Sequence, residues 1–234
     1  MVTLSARRLL GGALALALVP VAPAAAAEVT VRVEGDTATL VREVRLETPR
    51  GTVGKNPRQR CAGGAALGAL HVATGGRWNG AWFDLGYLIQ SIRGERHDGD
   101  PTFWSFWLNN RLATTGVCQA ELEDGDEVLF FVDRCVYDPV AQACENDPVL
   151  PLAVRAPRRA TTGRAFTVTV VRYDSVGRTK PVPGATVRVG DRAYQTGGRG
   201  RARVRVGRRA TVGVRAIKDG FARSAVERVT VRRR

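Results

Sequence analysis

The chain has 234 residues, with 36 Lys and Arg against 22 Asp and Glu, a formal net charge of +14 and 44% hydrophobic residues. This composition excludes a disordered chain and a membrane-embedded one, and the length fits one or two domains. The charge is unevenly placed: residues 28–150 hold 12 basic and 18 acidic side chains, a net of −6, whereas residues 151–234 hold 22 basic and 4 acidic, a net of +18.

Arg7 and Arg8 precede an apolar run from Leu9 to Ala22, and the small residues Ala24 to Ala27 follow it. That is the three-part layout of a secretory signal peptide over residues 1–27, and Pro20 and Pro23 argue against a lasting membrane helix. No later segment reaches the ~18 apolar residues that a membrane span needs. The expected location is secreted, extracellular or loosely held at a bacterial cell envelope, with the general secretory and twin-arginine routes both open.

Cys61, Cys118, Cys135 and Cys144 all lie in the acidic half, and thiols of exported proteins are normally paired. Three pairings are open. The short Pro- and Asp-containing loop favours Cys135 with Cys144, which leaves Cys61 with Cys118. A metal site or a nucleophilic cysteine would call for a CxxC spacing or a nearby activating base, and the sequence has neither.

Val29, Val31 and Val33 alternate with Thr30, Arg32 and Glu34, and after Gly35-Asp36 a second run carries Leu40, Val44 and Leu46, which predicts a β-hairpin. Ala66, Leu67, Leu70 and Ala73 share one helical face despite Gly63, Gly64 and Gly68, predicting a single packed helix. Short aromatic and β-branched runs follow at 81–83, 87–92, 103–108 and 128–132, with Asn109-Asn110 and Asp124-Gly125-Asp126 as turns. A hairpin, one helix and further strands make an α+β layout, β-grasp-like, expected over residues 28–147 with the helix across a mixed sheet.

All four tryptophans fall in this half. Alternation puts Trp104, Phe106 and Leu108 on one face of their strand and Phe103, Ser105 and Trp107 on the other. One set can fill the core under the helix; the other must be covered or stand exposed. Two readings follow: packing residues on both faces, or an aromatic binding surface built from Trp104, Trp107, Tyr87 and Trp82 that accepts a sugar, a flat ligand or another protein.

Pro148, Pro151 and Pro157 mark a boundary, and residues 148–234 read as strands separated by turns at sandwich-like spacing, without helical periodicity. In the run 201–206, Ala202, Val204 and Val206 point one way, while Arg201, Arg203 and Arg205 form a ridge with steps of roughly 6.6 Å. Arg188, Arg215, Arg228 and Arg232 take the same polar phase on other strands. Only three of the 36 basic residues are Lys, a bias that explains Arg in place of Lys but leaves the excess of bases over acids unexplained. Three roles remain for that excess: contact with an anionic envelope polymer or nucleic acid, docking onto the acidic domain, or none. The basic half lacks tryptophan and has only Phe166, Tyr173, Tyr194 and Phe221 for base stacking, so no specific nucleic acid is expected.

The residues Gly86-Tyr87, Ser91-Ile92-Arg93-Gly94, Phe103-Trp104-Ser105-Phe106-Trp107-Leu108-Asn109, Gly116 and Leu122-Glu123-Asp124-Gly125-Asp126-Glu127-Val128 resemble an uncharacterised extracellular domain family related to the C-terminal β-domain of transcobalamin and intrinsic factor. The resemblance covers about residues 28–135. Phe103, Leu108 and Asn110 stand where the family pattern has Tyr, Val and Gly. In the cobalamin carriers such a domain forms one half of a clamp around the corrinoid, opposite a helical barrel that this sequence lacks. Cobalamin is thus a ligand implied by the resemblance alone, and no other cofactor is expected. Pro183-Gly184-Ala185-Thr186-Val187, Thr196-Gly197 and Val214-Arg215-Ala216-Ile217-Lys218-Asp219-Gly220-Phe221 resemble bacterial Ig-like and carboxypeptidase-regulatory-like modules, which implies an all-β Ig-like sandwich for the second domain.

His71 and His97 are the two histidines, and the sequence has no HExxH, GxSxG or P-loop pattern. The Asp-Gly-Asp turns at 98–100 and 124–126 lack the ligand spacing of a calcium loop. Neither an enzyme nor a metal protein is expected. The expectation is a secreted, non-catalytic binding or adhesion protein whose partner is an anionic envelope polymer or another surface protein. Arg188, Arg201, Arg203, Arg205 and Arg215 would carry the attachment, and a small-molecule carrier is the alternative. The oligomeric state is left open.

Overall fold

The computed structural model describes residues 26–99 and 101–233, so nearly all of the expected signal peptide lies outside the described residues. The first domain comprises β1 (Glu28–Glu34), β2 (Thr39–Glu47), β3 (Thr52–Asn56), β4 (Gln59–Ala62), α1 (Ala66–Thr74), β5 (Trp78–Phe83), β6 (Gly86–Ile92), β7 (Glu95–Arg96), β8 (Thr102–Leu108), β9 (Arg111–Leu112) and β10 (Glu127–Arg134). The alternating valines of β1 occupy the middle of the main sheet, whose order is β2-β1-β10-β8-β9 with β1 parallel to β10. Val29, Val31 and Val33 are fully buried, together with Leu67 and Leu70 of α1 and Phe130 of β10. β3-β4 and β5-β6-β7 form two smaller sheets beside this core.

The α+β, β-grasp-like expectation is overturned by the strand content. Strands make up 55% of the chain and helix only 4%, so the protein is nearly all β. The Ala- and Gly-rich segment supports just the nine residues of α1, because Gly75 and Gly76, both in the left-handed region, end it. The short segments before and after it pair as hairpins and add no helix. Gly68 is tolerated inside α1 because a Cβ there would lie 1.7 Å from the Gly63 carbonyl oxygen, an approach that offsets the roughly 1 kcal/mol a mid-helix glycine costs.

Cys61 is bonded to Cys118, joining β4 to the loop after β9, and Cys135 is bonded to Cys144 across a hairpin of β11 (Tyr137–Asp138) and β12 (Ala143–Cys144). Both pairings match the expectation. Gly86 adopts φ +90° directly over Cys118, where a Cβ would meet its Sγ at 2.4 Å, so the bridge packs against bare backbone.

The second domain comprises β13 (Leu150–Arg155), β14 (Arg159–Thr161), β15 (Ala165–Tyr173), β16 (Thr179–Pro181), β17 (Thr186–Val189), β18 (Arg192–Gln195), β19 (Arg201–Arg205), β20 (Ala210–Ile217), β21 (Phe221–Ala222) and β22 (Glu227–Arg232). One sheet runs β16-β15-β13-β21 with β19 also paired to β15, and the other runs β14-β22-β20-β17-β18. Val168, Val170 and Val204 of the first sheet meet Val187, Val214 and Val229 of the second in one core. The interleaved arginines therefore face outward from both sheets.

The two domains are packed together. Trp107, Leu129 and Phe131, on the face of the main sheet away from α1, form a buried cluster with Ala222 of the second domain, flanked by Val149, Leu150 and Tyr173. Each large side chain so covered contributes about 1.5–3 kcal/mol relative to exposure. The strand phase leaves the second face of β8 either covered or exposed, and the second domain covers it. Asp133 secures the connection: its Oδ1 accepts the backbone N–H of Arg134 and of Val149, both at 2.8 Å, holding the start of the second domain against the end of β10.

Candidate anion-binding surfaces

The structure does not gather the four aromatic candidates into one surface. Trp104 and Trp107 are 6% and 2% exposed and lie on opposite faces of β8, the first in the core beneath α1 and the second in the domain interface. Tyr87 is also buried, edge-on between Trp78 and Trp82 with centroid distances of 5.0 and 4.9 Å. Its hydroxyl accepts the Lys55 N–H and donates to the Gln59 carbonyl. Trp82 alone reaches solvent, at the tip of the β5-β6 hairpin, where Phe83, Leu85 and Leu88 are exposed as well. That apolar tip was missed among the candidates. Its signal was present in Trp82-Phe83-Asp84-Leu85, three large apolar residues crowded into a turn where polar ones are the norm.

The arginine candidates divide between two sheets. Arg201, Arg203 and Arg205 are exposed on β19, facing outward beside Thr169, Thr167 and Ala165 of β15. Arg155 of β13 pairs with the same Thr169, which extends the ridge across three strands. Among the described residues none of these four guanidiniums contacts a carboxylate. Arg188 lies on β17 in the other sheet, directly paired with Arg215 of β20. The sequence leaves open whether the five candidate arginines join one patch; the structure separates them, with three on one side of the sandwich and two on the other.

Arg215 is the attachment candidate that the structure corrects, because it is committed to the domain interface. Its Nη2 donates to Glu34 Oε1 at 2.6 Å, and its Nε donates to the Ser224 carbonyl at 3.0 Å. Burial pushes its pKa down from the ordinary guanidinium value; Glu34 opposes that push, and Arg32 and Arg223 add to it. Glu34 itself is 1% exposed and also accepts from Arg32 Nη1 at 2.9 Å, Arg223 Nε at 2.9 Å and the Thr39 hydroxyl at 2.9 Å. The remaining donors of Arg223 reach the carbonyls of Gly35, Asp36 and Ala38, so this one side chain fills the turn between β1 and β2. Three guanidiniums around one carboxylate keep a positive excess inside the junction.

Other titrating groups serve the packing. His71 Nδ1 accepts the Trp78 indole N–H at 3.2 Å, and burial, helped by Lys55, holds its pKa below the ordinary value. His97 joins Thr102 at Nδ1 and Glu95 at Nε2, with Trp104 edge-on to its ring at 5.3 Å. Burial raises the pKa of Asp133 against its two backbone hydrogen bonds. Glu43 is raised as well, by burial first and then by Glu127 and Glu227, with Arg32 opposing. Among the described residues no group of three or more His, Cys, Asp or Glu is placed to hold a metal ion, and no helix is long and apolar enough to cross a membrane.

No protein-family model matches the chain, and the search of curated proteins returns no match. A solved structure from Ruminococcus gnavus, described as a putative metal binding protein, is similar at a TM-score of 0.34 and 16% identity over 46% of this chain and 97% of that one. A likeness at that level carries no argument about fold or ligand.

Proposed function

We propose that this is a secreted, non-catalytic binding protein that attaches to an anionic polymer of the cell envelope through the outer arginine ridge of its second domain. The observation that supports this reading is the ridge of Arg155, Arg201, Arg203 and Arg205, exposed, repeated at strand spacing and unpaired with acids among the described residues. Guanidiniums held a strand step apart offer successive forks to a chain of phosphates or carboxylates, and a flexible polymer can follow them without a closed pocket. Two structural disulfides suit the oxidising exterior where such a polymer is found. The apolar tip around Trp82, Phe83, Leu85 and Leu88 gives the same protein a place to contact another surface protein.

The test is retention of the full chain on isolated envelope fractions at increasing salt. With about four guanidinium contacts, retention falls by on the order of tenfold or more between about 50 and 200 mM salt, as counterions replace the protein. Retention that ignores salt, or none at low salt, overturns the reading. Arg201→Glu with Arg205→Glu removes most of the salt-sensitive part.

A further inference from the structure

The other side of the sandwich carries a second basic feature, built jointly by the two domains. Between β2 of the first domain and the outer face of β22, β20 and β14 lies a cleft of about 830 Å3. Its floor follows the polar phase of β22: Arg228, Thr230 and Arg232 point outward at steps of roughly 6.6 Å, while Val229 and Val231 between them are buried in the core. The strand register sets Arg159 beside Thr230. Arg158 stands next to it in sequence, and Arg42 on β2 forms the facing wall. Of the cleft's arginines only Arg32 and Arg215 are paired with a carboxylate among the described residues, both with Glu34. Arg42, Arg158, Arg159, Arg228 and Arg232 are exposed and have no acidic partner there.

The two ends of the cleft differ. Glu43 and Glu227 stand at its inner end, where an adjoining recess of about 260 Å3 also holds Glu127. That recess is also lined by Arg32 and Arg155, so three carboxylates face two guanidiniums there and an anion is held less strongly than along the arginines of the cleft. At the outer end the cleft shares Thr230 and Arg232 with a further recess of about 710 Å3 that adds Arg209, Thr211 and Arg233. A basic track thus runs from Arg42 past Arg158 and Arg228 to Arg209, longer than a single small anion can occupy. Its donors are planar guanidinium forks and threonine hydroxyls. That pairing suits tetrahedral oxyanions, which accept from a fork and a hydroxyl together.

We infer that this interdomain cleft is a binding site for a short run of successive phosphate groups, such as the end or a bend of a phosphate-linked chain. The site lies on the opposite sheet from the ridge and does not depend on it. It also exists only when the domains are joined, because Arg42 comes from the first and the remaining unpaired arginines from the second.

The test is calorimetric titration of the full chain with inorganic tripolyphosphate at about physiological ionic strength. The expected result is saturable binding that weakens by about tenfold in Arg158→Glu with Arg228→Glu and by several-fold in Arg42→Glu, each charge reversal replacing attraction by repulsion. Arg201→Glu with Arg205→Glu should leave it within about twofold, since those residues lie across the sandwich. No saturable binding, or an equal loss in the ridge variant, overturns the inference. Poly-L-glutamate displacing tripolyphosphate at equal charge concentration overturns the phosphate class. Should a reversal variant fail to fold, Arg42→Gln and Arg228→Gln remove charge without introducing repulsion, and unchanged affinity in both would equally overturn it. Envelope retention reads the ridge and tripolyphosphate reads the cleft, so either proposal can fail alone.

Discussion

Arg203 and Arg215 are indistinguishable in sequence context, each on the polar phase of a strand between small or β-branched residues, yet the fold gives them opposite roles. Arg203 stands in solvent on the outer ridge, whereas Arg215 is drawn into the junction by Glu34, a residue 181 positions away. An excess of +18 in the second domain therefore mixes two populations of guanidinium. One spends its charge on holding the domains together, and the other stands in solvent with no acidic partner among the described residues. A sequence-level net charge cannot be converted into a binding surface until the interface has been subtracted from it.

The largest expected effect comes from the junction. Glu34→Ala leaves Arg32, Arg215 and Arg223 facing one another without a counter-charge, and should cost about 3–5 kcal/mol in urea unfolding of the full chain. An unchanged midpoint would mean that the buried cluster does not distinguish Arg215 from Arg203 after all. Phe131→Ala tests the apolar part of the same junction and should cost about 3 kcal/mol, by opening a cavity against Ala222 and Trp107. Ridge substitutions should behave in the opposite way. Arg203→Glu is expected to shift stability by no more than about 0.5 kcal/mol while weakening salt-sensitive retention on envelope fractions. Loss of stability without loss of retention would reverse the comparison.

Smaller effects follow pH. The depressed pKa of His71 means that the unfolded chain binds the proton more readily, so the stability from its hydrogen bond to Trp78 is present above the ordinary histidine value and lost as pH falls through the folded one. A thermal midpoint that declines on mild acidification, and declines less in His71→Gln, is the expected readout. Glu43 has the opposite sign. Its raised pKa makes the ionised form a burden in the folded state, so Glu43→Gln should be slightly stabilising at neutral pH, with the gain vanishing as pH falls below the ordinary carboxylate value. The same substitution should tighten tripolyphosphate binding, because it removes a negative charge from the cleft.

Features set by local pattern were legible in the residues. The phase of Val29, Val31 and Val33, the turn at Asn109-Asn110 and the arginine ridge at 201–205 all follow from alternation and turn chemistry. The bridge from Cys135 to Cys144 follows from a short loop, and the longer one from Cys61 to Cys118 follows by elimination. The single helix forms where its pattern predicts it, but the α+β class does not follow from it. Glycines confine this Ala-rich segment to nine residues, too little helix to make a layer of the fold. The aromatics of β8 leave two readings open in the sequence, and packing on both faces is the one the fold takes, with Trp104 in the core and Trp107 in the domain interface.

By itself the sequence determined the strand phases, the separation of charge between the two halves and the presence of large aromatics on both faces of β8. Only the tertiary structure decided that the second domain covers Trp107, that Glu34 is buried beneath three arginines, and that Arg201, Arg203 and Arg205 form a ridge on one sheet while Arg158, Arg159, Arg228 and Arg232 line a cleft on the other. The reason is physical. Strand alternation is imposed by neighbouring residues through backbone geometry, whereas burial and charge pairing depend on which distant surface arrives opposite, and no local pattern encodes that meeting.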